Sequence, residues 1–227
     1  MSVDRILCLA NSYKHDHRCV AGIDLATKRW VRLVGRKIAG CLTIEETCYS
    51  GGNEAALLDV FEAELGDKCA SKCHPEDVFV TGRPWRPARR FDEPRDVHFL
   101  KDYLNKRPAL LEGYSDRVYV RKFAQVPASR SLELVRPEDL WWWIREEKGK
   151  RRNRAVFRLG HASRVRYDLA VTDPKWLEQL RSRPAGIYAH ESFFTGKPPD
   201  TLLTVSLSEP FENFHYKLVA GVVNLPA

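Results

Sequence analysis

Three groups of residues have side chains suited to recognition chemistry. The first is Asn11, Ser12, Lys14 and Arg18 in a polar stretch, followed by Trp30 and Arg32 in an apolar one. Amide and hydroxyl groups can read base edges or sugar, cations can meet phosphate, and an indole stacked on a base contributes about 1–3 kcal/mol. Trp30 and Arg32 are two apart, so on a strand they share a face. The competing reading is structural: an edge strand with a surface arginine, and a loop in which Asn11 and Ser12 bond their own backbone. The second group is the basic run Lys148, Lys150, Arg151, Arg152 and Arg154, just after Trp141, Trp142 and Trp143. Four or five phosphate contacts from such a run would make binding fall steeply with salt. The third group is Arg166, Tyr167 and Asp168, with Lys217 in a later strand. Arg166 and Asp168 share a strand face and suit an ion pair that orients a ligand or braces two packed elements.

Charge distribution favours the second group. The chain of 227 residues carries a net charge of +7, with 44% hydrophobic and 30% charged residues, a globular composition. Arg145 to Arg166 holds nine Lys and Arg against Glu146 and Glu147, an excess equal to the whole net charge. The remainder is balanced, so a polyanionic partner would meet this segment first.

Motifs for covalent chemistry are missing from the sequence. There is no phosphate-binding Gly-rich loop with Lys-Ser/Thr, no His-Glu-x-x-His and no Gly-x-Ser-x-Gly, and Gly196-Lys197 runs straight into Pro198. A recognition role without catalysis or cofactor is therefore expected. Two alternatives stay open: nucleotide processing in a cleft that uses Asp168 and Lys217, and a scaffold whose tryptophans and arginines dock an acidic protein.

The six cysteines, Cys8, Cys19, Cys41, Cys48, Cys69 and Cys73, all fall in the first third of the chain. The first apolar run, Ile6 to Ala10, is shorter than the roughly 7–15 residues of a signal-peptide core, and nothing approaches the roughly 18 apolar residues of a membrane span. Reduced thiols, a cytoplasmic location and no membrane partner are expected. Cys69, Cys73 and His74 are ligand-type residues, with His15 and His17 as possible companions. Structural zinc usually takes two close pairs, and only one convincing cysteine pair is present, so no metal site is expected and the zinc question stays open.

The elements that must position these groups are mostly strands. Arg5 to Ala10 is a short apolar run fit for a buried strand, and residues 11–17 are polar without a period. Cys19–Leu25 and Arg29–Val34 read as two strands around an Ala26–Lys28 turn. Residues 57–65 suit a strand or a helix, and 77–81 a strand. Pro84, Pro87 and Pro94 with interspersed arginines read as a linker, and residues 96–106 as a connecting helix stopped by Pro108. Residues 118–123 read as a strand. Pro137-Glu138-Asp139 before Trp141 is a helix-entry signature. On a helix successive residues point about 100° apart, so the three tryptophans could not share one face. Residues 154–159 and 163–171 read as strands about a turn at Gly160-His161-Ala162. Asp173 and Pro174 announce a second helix, and 201–207 and 215–223 close the chain as strands. Arg18-Cys-Val-Ala-Gly-Ile23 is echoed in Lys217-Leu-Val-Ala-Gly-Val222, a weak hint of duplication.

Seven segments stand out together: Cys8-Leu-Ala-Asn-Ser12 with Lys14, Arg18-Cys-Val-Ala-Gly22, Trp30-Val-Arg32, Val165-Arg-Tyr-Asp-Leu-Ala-Val-Thr-Asp-Pro174, Leu203-Thr-Val-Ser-Leu207, Glu209-Pro-Phe211 and Tyr216-Lys-Leu-Val-Ala220. In these the sequence resembles the dual OB-containing domain family of bacterial proteins. The resemblance implies a mainly β chain with a few helices (α+β), built as two OB-like β-barrels packed together. It also implies nucleic-acid or nucleotide recognition, in a bacterial defence setting, with no catalytic residues to carry over. The expected division is a first OB-like domain over 1–95, a connecting helix in 96–113 and a second OB-like domain over 114–227.

Overall fold

The computed structural model describes residues 3–14, 16–38, 40–111, 113–160 and 165–225. His15, residues 161–162 of the expected turn and residues 163–164 of the expected 163–171 strand lie outside them. The first five strands are β1 (Val3–Lys14), β2 (His17–Asp24), β3 (Arg29–Val34), β4 (Asp59–Lys68) and β5 (Asp77–Val80). They hydrogen-bond in the order β1-β2-β3-β5-β4, and β4 pairs back onto β1, which closes a barrel. The β3–β5 contact is parallel. A further strand, β6 (Arg86–Arg90), lies on the outer edge of β4. This is the stretch read as a linker. Pro87 is tolerated there because an edge strand does not need every N–H.

Then come α1 (Pro94–Lys101), β7 (Arg117–Tyr119), α2 (Val120–Gln125), β8 (Leu132–Val135), β9 (Glu138–Glu147), β10 (Lys150–Arg158), β11 (Arg166–Val171), α3 (Pro174–Arg181), β12 (Gly186–Ala189), β13 (Thr201–Phe211) and β14 (Phe214–Asn224). The order β9-β10-β11-β14-β13 repeats that of the first barrel, including the parallel contact between third and fifth strands. The difference lies at the seam, where β12 pairs with β9 and β8 with β13. Among the described residues no helix is long and apolar enough to cross a membrane.

Several local expectations are corrected. Residues 138–147 form a strand, not a helix. Leu140, Trp142 and Ile144 are buried while their odd-numbered neighbours face outward, the period of a half-buried strand, and tryptophan suits such a surface. The helix-entry residues are overridden by that burial pattern. Residues 11–14 continue β1 and pair with β2, because the sheet burial of Asn11 and Ser12 is compensated by hydrogen bonds. The strand expected at 118–123 is only three residues of β7 before α2 begins, and α1 ends at Lys101. At α3 the expectation holds: Asp173 Oδ1 accepts from the backbone N–H groups of Lys175 (2.9 Å) and Trp176 (3.1 Å), with Pro174 at the first turn.

β1 explains its apolar run by being buried on both faces. Ile6 and Cys8 pack inside the first barrel with Val20, Leu33 and Phe61. Leu7 and Leu9 point the other way, onto Leu134, Leu202 and Val223 of the second sheet. The Val-Ala-Gly echo belongs to this seam and not to duplicated strands, since β2 is the second strand of one sheet and β14 the fifth of the other. Ala21 and Ala220 pack together with Ala10 and Leu132. A Cβ on Gly22 would overlap the Leu7 carbonyl, and one on Gly221 the Leu9 carbonyl, so both positions need the missing side chain for close backbone approach. Thr204 Oγ1 donates to Leu9 O (2.6 Å) and Tyr13 N to Thr172 O (2.8 Å), which ties the sheets across the seam.

Candidate nucleic-acid interface

The basic run forms a β-hairpin. β9 and β10 pair from Glu147↔Lys150 onward, and Lys148 and Gly149, both at positive φ, make the two-residue turn. That backbone matches the twist of the flanking strands. Because side chains alternate, Trp141, Trp143 and Arg145 of β9 share the outer face with Arg152, Arg154 and Arg158 of β10 and with Arg166 and Asp168 of β11. The register sets Trp143 opposite Arg154, Arg145 opposite Arg152 and Arg158 opposite Arg166. Trp141 is 41% exposed. The Arg145 guanidinium lies 3.3 Å from the centroid of the Trp143 ring. The result is a sheet face of two indoles and five arginines in which Asp168 balances two cations: Arg145 NH2 donates to its Oδ2 (2.8 Å) and Arg154 Nε to its Oδ1 (2.7 Å). Arg158 pairs with Asp139.

The structure separates the other expected site residues. Arg166 is exposed, and among the described residues the partners of Asp168 are Arg145 and Arg154, not Arg166. Arg151 points to the opposite face, where its NH2 donates to the carbonyls of Leu180 (2.8 Å) and Arg183, satisfying the C-terminal end of α3. Tyr167 is an interior residue that stacks on Phe157 and accepts the Leu110 N–H at 2.9 Å. Lys217 is 1% exposed and donates to the carbonyls of Leu110 (2.8 Å) and Gly113 (2.6 Å). Asp168 and Lys217 therefore point to different sides of the sheet and do not form a common cleft.

Most of the first-barrel group is structural. Arg18 forms a two-bond pair with Glu54, and Asn11 Nδ2 donates to Glu54 Oε1 (2.9 Å) and Ala55 O (2.8 Å). Burial pushes the Glu54 carboxyl up, but the bonds from Arg18 and Asn11 reverse this and hold it below its ordinary range. Ser12 bonds Cys19 O (3.4 Å), and Lys14 approaches Glu209 at 3.6 Å. Arg32 is buried between the sheets, on Asp77 (3.3 Å), Ser131 (2.8 Å) and Ser206 (3.1 Å). Trp30 alone of the six lines a surface cleft of about 880 Å³, together with Lys28, Arg29, Lys68, Lys106 and Arg107.

A family model described as the dual OB-containing domain matches residues 4–222. The chain belongs to the dual OB-containing domain family. Neither curated proteins nor solved structures offer a match to the chain. In this dual OB chain, β10 and β11 are the second and third strands of the second unit and the Lys148-Gly149 turn is its first hairpin loop, the region with which OB folds bind oligonucleotides. Sequence reasoning singled out the hairpin cations as site residues but not Trp143 or Arg145. Residues 140–144 are apolar without a break, so the sequence carries no alternation to mark which tryptophans face outward, and only the burial pattern of β9 shows it.

Proposed function

We propose that this protein is a nucleic-acid-binding module that holds a single strand on the outer face of β9–β11, without covalent chemistry. The observation that carries the reading is Arg145 stacked over Trp143 with Arg152 and Arg154 on the neighbouring strand. Indoles offer sequence-tolerant stacking, and the arginines and the Lys148 and Lys150 turn supply the electrostatic attraction. Every base has a π face, so such a platform recognises strand character before sequence.

Polarisation of a labelled oligonucleotide, titrated with full-length protein at several salt concentrations, tests the reading. Binding that weakens with salt and with loss of Trp143 supports it. No affinity for single strands or duplexes at low salt overturns it. Copurification of a stoichiometric acidic protein, with no nucleic-acid absorbance, would favour the scaffold instead. The nucleotide-processing alternative lacks support, because Lys217 is bonded in the interior and faces away from Asp168.

A further inference from the structure

The connection between β4 and β5 meets the β13–β14 hairpin at a cluster the chain order conceals. One donor atom from each of Cys73, His74 and His215 lies within 4.8 Å of the others. Cys73 and His74 come from the first sheet's connection and His215 from β14 of the second. Cys69, which spacing pairs with Cys73, does not belong to this cluster.

The far nitrogens of both histidines are held as a metal site requires. His215 Nδ1 lies 2.8 Å from Ser208 O, and His74 Nε2 lies 3.2 Å from Leu207 O. A carbonyl can only accept, so each of these nitrogens carries a proton. His215 Nε2 and His74 Nδ1 are therefore the atoms left to bind an ion. Backbone carbonyls holding the far nitrogen in this way are the usual outer support of imidazole ligands. The loop is also held: His74 N donates to Ser71 Oγ (3.0 Å), and Ala128 N to Lys72 O (2.7 Å). Phe123 packs its ring edge-on to His215, at 5.2 Å.

A thiol beside a histidine could instead be a nucleophile. That use needs one ring nitrogen at the thiol and the other at an orienting group that stabilises the imidazolium. Cys73 and His74 by themselves would meet that need, with Leu207 O as the orienting group. A nucleophile makes no use of His215, whose donor atom joins the same cluster, whereas a metal takes all three.

We propose that Cys73, His74 and His215 form a zinc site that clamps the two OB units together. One thiolate and two imidazoles suit Zn²⁺, whose bonds of about 2.0–2.3 Å require the donors to draw in by roughly 1 Å through side-chain rotation. Three protein ligands leave a fourth position, which the half-exposed Glu209 carboxylate can reach or water can fill. A cleft of about 570 Å³, lined by Cys73, His74, Phe123, Glu209 and His215, gives the ion a way in. The site shares no residue with the β9–β11 face, so its fate is independent of nucleic-acid binding.

Titration of the reduced, metal-free full-length chain with Co²⁺ tests the proposal. The expected result is saturation at one equivalent, a thiolate-to-cobalt charge-transfer band in the near ultraviolet, and bleaching by Zn²⁺. Cys73→Ser abolishes that band, His215→Ala abolishes or weakens it, and Cys69→Ser leaves it unchanged. Zn²⁺ raises the Tm of the wild type and of Cys69→Ser but not of Cys73→Ser, with far-ultraviolet circular dichroism verifying that each variant folds. No band in the folded wild type, or a band and zinc-dependent Tm that survive Cys73→Ser, overturns the site.

Discussion

Arg145 is shared between Trp143, whose ring it covers, and Asp168, whose carboxylate it meets at 2.8 Å. The cation is thereby held over the indole instead of extending into solvent. A stacked Arg–Trp pair on an exposed sheet face provides both an aromatic and a cationic surface for one nucleotide.

Removal of the indole should be felt in binding more than in folding. Trp143→Ala is expected to weaken single-strand binding by about 1–3 kcal/mol, with Trp143→Phe between it and the wild type. Polarisation titrations at fixed low salt check this, and an unchanged affinity would remove Trp143 from the interface.

The hairpin cations should act through salt. Replacing Lys148, Lys150 and Arg152 by Gln is expected to lower the slope of log K against log salt by about 0.7 for each phosphate that is no longer neutralised. Binding isotherms at several ionic strengths give the slope. An identical slope for the triple variant would place the phosphate-binding cations elsewhere.

Asp168 separates the binding reading from the enzymatic one. Asp168→Asn frees Arg145 and Arg154 from their shared anion, so oligonucleotide affinity should rise several-fold. The cost in stability should be small, since partly exposed ion pairs contribute about 0–1 kcal/mol. A fall in affinity would mean that the carboxylate positions the arginines productively.

Arg32 should behave as a fastener between the sheets. Its guanidinium joins β3 to Asp77, Ser131 and Ser206 while buried, so Arg32→Ala is expected to destabilise by about 3–5 kcal/mol, the range for breaking a buried pair. Urea unfolding measures the loss. Affinity of the folded fraction for single strands should not change.

His190 gives a pH dependence. It accepts from Trp142 Nε1 at 3.1 Å through Nδ1, and its Nε2 lies 2.8 Å from Thr201 Oγ1. Burial pushes its pKa down to about 4. Below the unfolded value near 6.5 the unfolded chain binds the proton and the folded chain resists it. Stability should therefore fall as pH drops from about 6.5 to about 4, by on the order of 3 kcal/mol, then level off. Burial raises the carboxyls of Glu133 and Asp173, which act in the opposite sense, so the quantity to measure is wild type minus His190→Gln. Parallel pH profiles for the two proteins would contradict the assignment.

Strands whose residue types have few alternatives were legible in one dimension: the doubly buried run Ile6–Ala10, the 19–34 hairpin and the closing strands, together with the capped start of α3. So was the charge excess of one segment, because net charge is a property of composition and needs no coordinates. The face that each residue meets was not legible. The three tryptophans resolve into an inner Trp142 and outer Trp141 and Trp143 once β10 and β12 flank them, since a strand period is enforced by neighbours and not by the Pro-Glu-Asp entry signal. Arg18, Arg32 and Lys217 look like ligand-binding cations along the chain but are bonded in the interior, and His215 reaches Cys73 and His74 only where the two sheets meet. Such long-range neighbours are set by the packing of whole sheets, which local residue types do not encode.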